Sequence, residues 1–333
     1  MKLPVLKIKV ILCSILMLQW SCLSNADRNN PLDAKSEHFT NTGTLTGQIL
    51  TIYSPFDPLS DVEVRMQPEN LVSLTNTQGQ FLFENVSVGK HFITANKEGF
   101  AVVKDTFNVQ LGQTTQVQMQ LDGLPFISSF SVNTSHISRW FPGDDFLLEV
   151  SAQVNDPDGL SDITLVEVEI PEISFIDTLD ITPTPGIYSK RISELQMPNK
   201  LQDVLGRQIF INVQDRPGSE TVSQPNFIAR IIEQTPAFES PSGDILNVAK
   251  PLLKWKSITL PFNFTYTVDV FRLDQGIFIN LIETITDIDS AISSISVTNN
   301  LPSATYFWTI SVVDEFGNWS RSKEAGFEIR LGN

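Results

Sequence analysis

Cysteine is nearly absent: Cys13 and Cys22 are the only two in 333 residues. Cys13 sits inside an N-terminal apolar run and leaves with it if that run is a leader, so no intramolecular disulfide is expected. An exported chain without disulfides has to be held by hydrophobic cores, which suits domains of about 100 residues and not miniature scaffolds. Histidine is also scarce, with His38, His91 and His136 scattered along the chain, and this limits acid–base and metal chemistry. Basic residues are few: 23 Lys and Arg stand against 38 Asp and Glu, for a net charge of −15. Such a surface repels phosphates, which disfavours nucleic acid as a partner and argues against lying flat on anionic lipid. No Gly-x-Ser-x-Gly, His-Glu-x-x-His, Cys-x-x-Cys or phosphate-binding glycine loop occurs. A carboxylate pair would suffice for glycoside hydrolysis, but small sandwiches offer no large cleft, so an enzyme is not expected.

Long hydrophobic runs are missing as well. Lys2, Lys7 and Lys9 lead into Val10–Leu18, followed by Gln19-Trp20-Ser21-Cys22. This is the layout of a secretory signal peptide, and it is too short to span a bilayer, which takes about 20 apolar residues. The cysteine behind a small residue makes it resemble a bacterial lipoprotein signal. That resemblance implies removal of residues 1–21, lipidation of Cys22, export, and attachment to the membrane through acyl chains. Leu23 in place of the Asp that retains such proteins in the inner membrane of enteric species implies the outer membrane. An ordinary cut after Ser24-Asn25-Ala26, discarding Cys22, is the alternative. Residues 22–42 have no hydrophobic period and read as a flexible tether.

What the chain does have is alternation. Asp61–Met66, Gln116–Leu121, Phe146–Val154, Val166–Ile170, Ile209–Val213, Phe264–Val270 and Tyr306–Val312 alternate apolar and polar residues, the period of half-buried strands. Turn chemistry separates them, at Asn76-Thr77-Gln78-Gly79, Asp156-Pro157-Asp158-Gly159 and Arg216-Pro217-Gly218. A short helix is expected at Pro198–Leu205, where Leu201, Val204 and Leu205 share a face before Gly206. The expected architecture is all-β, with three tandem β-sandwich domains at 43–122, 125–233 and 235–333 behind the signal and tether.

Three resemblances sharpen this. Gly47-Gln48-Ile49, Leu59–Val64, Thr75–Phe92 and Gly99-Phe100 resemble the carboxypeptidase regulatory-like domain, which implies a seven-stranded transthyretin-like sandwich and an accessory role without peptidase activity. Asn76 stands where that family has Asp and can make the same side-chain turn bond; His91 stands at a strand position usually held by Tyr and reads as a satisfied strand histidine. Residues 125–233 resemble a bacterial immunoglobulin-like module. Pro251–Trp255, Leu301–Tyr306 and Asp314–Asn318 resemble a fibronectin type III domain, which implies a core tryptophan at Trp255 and a tyrosine corner at Tyr306, with Phe307 on the opposite face.

Two candidate sites remain. Asp156, Asp158 and Asp162, with Asn155, offer clustered oxygens for calcium, but an EF-hand register puts Val154 first and Leu165 twelfth, and the sequence favours a turn whose carboxylates cap their own backbone. Trp140, Phe141 and Trp319 fall in loop-like stretches, where aromatics stack on sugars or anchor a partner; in sandwiches they more often plug a core end. The chain therefore reads as a non-catalytic cell-envelope lipoprotein that presents sandwiches for protein binding, adhesion or scaffolding. The other reading is a glycan-binding lipoprotein that uses the loop aromatics.

Overall fold

Wherever apolar and polar residues alternate, the backbone is extended and the apolar set faces inward. In Thr114–Leu121, Val117, Met119 and Leu121 are buried while Gln116, Gln118 and Gln120 face water. This computed structural model describes residues 30, 33–36 and 39–332, and it is all-β. The leader, Cys22 and most of the tether lie outside the described residues. No described helix is long and apolar enough to cross a membrane. The chain divides between Gly123 and Leu124 into two compact units.

The first unit packs a three-stranded sheet on a four-stranded one. In the smaller sheet Thr42–Thr51 lies between Gln80–Ser87, antiparallel, and Thr114–Leu121, parallel. The larger runs Leu71–Leu74, Glu63–Gln67, Gly89–Asn96, Val103–Val109, all antiparallel. Leu45, Ile49, Val64, Met66, Phe81, Ile93 and Met119 fill the space between the sheets. Burying each such side chain contributes about 1.5–3 kcal/mol. Gly47 makes room for the side chains of its two neighbours in the same sheet, because a Cβ there would come within 2.5 Å of both Phe81 and Val117. The Asn76 carboxamide oxygen accepts from the backbone N–H groups of Gln78 and Gln80, at 3.0 and 2.9 Å, and so closes the turn at Gly79. His91 is buried in its strand between two acceptors, the Ser87 carbonyl at 2.7 Å and the Glu69 carboxylate at 3.0 Å.

The second unit contains two cores. The first is built around Leu148, Val150, Val168, Ile170, Ile192, Ile211 and Val213; the second is built around Leu253, Trp255, Tyr266, Val268, Tyr306, Trp308 and Ile310. The first core is covered on one side by the sheet Phe175–Thr178, Ile163–Ile170, Phe210–Asp215, Glu220–Val222. The second is covered on one side by Ala237–Ser240, Leu252–Lys256, Ser294–Ser296. The helix expected near Pro198 is a single 3-10 turn, Leu201–Val204, which buries Leu201 and Val204; Leu205 turns outward.

The facing sheet is shared by both cores. Its order is Asp180–Ile181, Ile187–Ser193, Asp145–Asn155, Phe126–Ile137, Trp319–Arg321, Ala304–Asp314, Phe264–Asp274, Phe278–Asp289. The bridge is the parallel pairing of Trp319–Arg321 with Ser135–Ile137. The spans 125–233 and 235–333 thus share a sheet within one compact unit. Side chains lock the joint. Thr134 donates its hydroxyl to the Arg230 carbonyl, Ser320 donates to the Gln234 carbonyl, and the Arg230 guanidinium pairs with Asp314 at 2.9 Å while lying 3.8 Å from the Phe262 ring centroid.

Candidate cation site and surface aromatics

Asp156-Pro157-Asp158-Gly159 makes the turn after strand Asp145–Asn155. The Asp156 carboxylate accepts from the Asp158 N–H at 2.7 Å, and the Asp156 carbonyl accepts from Gly159 at 3.0 Å. Gly159 takes φ +101, a conformation that side chains disfavour, and delivers a 3-10 turn, Leu160–Asp162. That turn buries Asp162 to 2% exposure. Strand Ile163–Ile170 then pairs antiparallel with Phe210–Asp215, and Ile163 stands opposite Asp215. A second turn, Arg216-Pro217-Gly218, is thereby laid beside the first. Asp215 is 1% exposed, and one carboxylate oxygen accepts from Gly218 and Ser219, at 2.8 and 2.6 Å.

Much of this carboxylate capacity is unspent. Neither oxygen of Asp162 has a hydrogen-bond partner, and Asp156 and Asp215 each keep one buried oxygen without one. One oxygen each from Asp156, Asp158 and Asp162 lie within 4.8 Å of one another, and the same limit holds between Asp162 and Asp215. Burial, and then the charges of Asp162, Asp158 and Asp215, push the Asp156 carboxyl up to about 6, although the Asp158 N–H pulls the other way. The self-capping turn expected from sequence therefore accounts for one oxygen of Asp156, but not for Asp162. Asn155 is turned elsewhere and donates to the Ser128 hydroxyl at 2.7 Å. Asp215 was not singled out from the sequence; the only local signal was an acid two residues before Pro217-Gly218.

The aromatics do not form one site. Trp140 is 66% exposed and Phe141 87% exposed. The Trp140 indole N–H donates to the Glu324 carbonyl at 3.0 Å, the Lys323 amine lies 4.6 Å from its ring centroid, and Phe238 packs at 6.4 Å. A shallow groove lined by Ser138, Trp140, Thr235, Phe238 and Lys323 runs beside it. Trp319 is not a loop aromatic. It begins the bridging strand, donates to the Glu149 carboxylate at 3.2 Å, and has the Arg191 guanidinium 5.7 Å from its ring centroid. Its polar edge serves the joint between the sandwiches.

No protein-family model and no curated protein matches the chain. Among solved structures it is similar to BcpA, the major pilin subunit of Bacillus cereus, at 8% identity and TM-score 0.29, over 86% of this chain and 95% of that one. It is also similar to the FN1–FN3 domains of chicken CNTN1, at 10% identity and TM-score 0.32, over 82% and 92%. A third likeness is to the fibronectin(III)-like modules of Clostridium thermocellum CbhA, at 12% identity and TM-score 0.28, over 62% and 94%. These likenesses are of fold class alone. What its own sheets and cores show is a chain built of β-sandwiches.

Proposed function

We propose that this is a non-catalytic lipoprotein of the bacterial cell envelope, held by an acylated Cys22 and the tether 22–42, which presents its sandwiches to a protein partner. The Asn76 turn and the three-plus-four strand arrangement support reading 43–122 as a carboxypeptidase regulatory-like domain. Buried Trp255, and the Tyr306 hydroxyl donating to the Pro302 carbonyl at 3.0 Å, support a fibronectin type III-like 235–333. Leu23 after Cys22 supports the outer membrane.

The observation that carries the partner reading is the free edge of the shared sheet. Phe278–Asp289 is its last strand, and Ile277, Phe278, Ile279 and Leu281 are 75, 60, 61 and 57% exposed there. Edge strands are normally blunted by charge or proline; an apolar one is a template for strand addition by another chain. A photo-crosslinking side chain at Ile279 should give discrete protein adducts in cells, and one at Phe92, exposed on the inner strand Gly89–Asn96 of the first unit, should not. Equal adducts at both positions, or none at Ile279, would remove the edge from the account. The anchor is tested separately: Cys22→Ser should release the protein from membranes, since acyl chains supply about 0.8 kcal/mol per buried CH₂. Retention of that variant after a carbonate wash would rule the anchor out. Exposed Trp140 and Phe141 favour a second, glycan-binding reading, for which glycan-array hits should disappear in Trp140→Ala.

A further inference from the structure

The four aspartates at the turns 156–159 and 216–218 present a physical imbalance. Asp162 and Asp215 are at least 98% buried, and Asp162 accepts no hydrogen bond at either oxygen. Carboxylates in such surroundings cost several kcal/mol unless something positive meets them. The donor set is all oxygen and all carboxylate, with no histidine or cysteine in either acidic group. That composition selects a hard cation. Calcium–oxygen distances are about 2.3–2.6 Å, so two ligands on opposite sides of one ion lie about 4.6–5.2 Å apart. The 4.8 Å limit on the oxygens of Asp156, Asp158 and Asp162, and on those of Asp162 and Asp215, fits that span.

We propose that Asp156, Asp158, Asp162 and Asp215 bind one calcium ion, with Asp162 at its centre, and that the ion clamps the 156–162 turn to the end of strand Phe210–Asp215. Both turns belong to the same sandwich, so the ion closes one end of the first core in the second unit. Water and further backbone oxygens complete the coordination shell, as six to eight ligands require.

The test uses the mature full chain carrying Cys22→Ser, stripped with chelator and titrated with CaCl₂ or MgCl₂ in a calorimeter, with thermal unfolding in parallel. The parent should take up one equivalent of Ca²⁺, at about 10⁻⁴–10⁻³ M if it behaves like other extracellular modules. Its unfolding midpoint should then climb steadily with the logarithm of Ca²⁺ concentration. Asp162→Asn should abolish both responses while unfolding in chelator no earlier than the parent, because it relieves the repulsion that the metal would otherwise neutralise. If Asp162→Asn fails to fold, Asp158→Asn, at a half-buried position, decides the matter with an affinity at least tenfold weaker. An exposed acid in the other unit, changed by Asp105→Asn, should leave binding intact. Absence of saturable binding at 10-fold excess over that range would overturn the assignment. So would equal responses of parent and Asp158→Asn, or of Ca²⁺ and Mg²⁺, since either marks general screening of an acidic surface.

Discussion

Asn318 and Thr134 are 184 positions apart, yet the Asn318 carboxamide oxygen accepts the Thr134 backbone N–H at 2.9 Å and lies 3.0 Å from its hydroxyl, whose one proton it shares with the Arg230 carbonyl. Both residues are almost wholly buried. Asn318 is itself fixed by Asp314, whose carboxylate accepts from the Asn318 backbone N–H and side-chain amide at 2.9 and 3.0 Å. One turn at the end of the second sandwich thus docks on a central strand of the first. Asn318→Ala would leave the buried Thr134 N–H without its acceptor, at about 1–3 kcal/mol, while the Thr134 hydroxyl keeps the Arg230 carbonyl. The stretch Glu233–Phe238, which follows buried Ile232, buries Pro236 and has the Gln234 carbonyl bonded to Ser320, should resist protease in the parent and be cut in Asn318→Ala. A parent cleaved there as readily as the variant would mean the joint does not hold.

The second core offers a graded series. Trp255→Ala removes a side chain that is 1% exposed and should cost about 3–5 kcal/mol. Tyr306→Phe removes only the bond to the Pro302 carbonyl, worth about 1 kcal/mol, because Pro302 is exposed and water can take the hydroxyl's place. Phe307 faces the other side of its strand, but that side is covered: it stands opposite Phe271, with ring centroids 4.8 Å apart and planes at 12°. Phe307→Ala should therefore fall in the range of Tyr306→Phe and not below it. Urea melts of the three variants check the order, and a Tyr306→Phe protein as stable as the parent would remove the tyrosine corner.

Gly47→Ala should destabilise the first unit alone, by about 1–3 kcal/mol, because the new methyl meets the buried Phe81 and Val117 side chains. Hydrogen exchange should accelerate in Thr42–Thr51 and Thr114–Leu121 and stay unchanged in the second unit. Uniform acceleration through both would contradict the division at Gly123.

The acidic cluster predicts a pH dependence with a definite sign. The Asp156 carboxyl is raised from 3.8 to about 6 by burial and by Asp162, Asp158 and Asp215. Below the lower value both folded and unfolded chains carry the proton, and this group contributes nothing. Between the two values only the folded chain binds it, so in chelator stability should fall as pH rises from about 4 to above 6, then level off. Urea midpoints across that window measure it, and a flat or rising profile from this group would contradict the burial described.

Strands with one wet face were legible because period two survives in them, as in Gln116–Leu121 and Asp145–Asn155. Phe278–Asp289 was not. It lies at the sheet edge with both faces partly in water, and its pairing with Phe264–Asp274 slips register at Tyr266/Val268 and Val270/Phe271, which scrambles the alternation. At the candidate site, three aspartates were visible because one turn carries them all. Asp215 comes from another strand, and only the Ile163–Asp215 pairing brings it close. Trp319 read as a loop aromatic for the same reason: its partners Glu149 and Arg191 belong to the other sandwich.

The bridging strand Trp319–Arg321 has a mechanical consequence. If the chain is held from its N-terminal side and gripped at Phe278–Asp289, tension between Phe126–Ile137 and that edge crosses the sheet from strand to strand. Every other link on the route is a long ladder, whereas this one pairs three residues on each side. It is the narrowest rung, and a rising load would part it first. The two sandwiches would then swing apart on the short stretch between Ile228, in the first core, and Ile232, in the second, while each core stayed folded, giving the protein extra reach before anything unfolds.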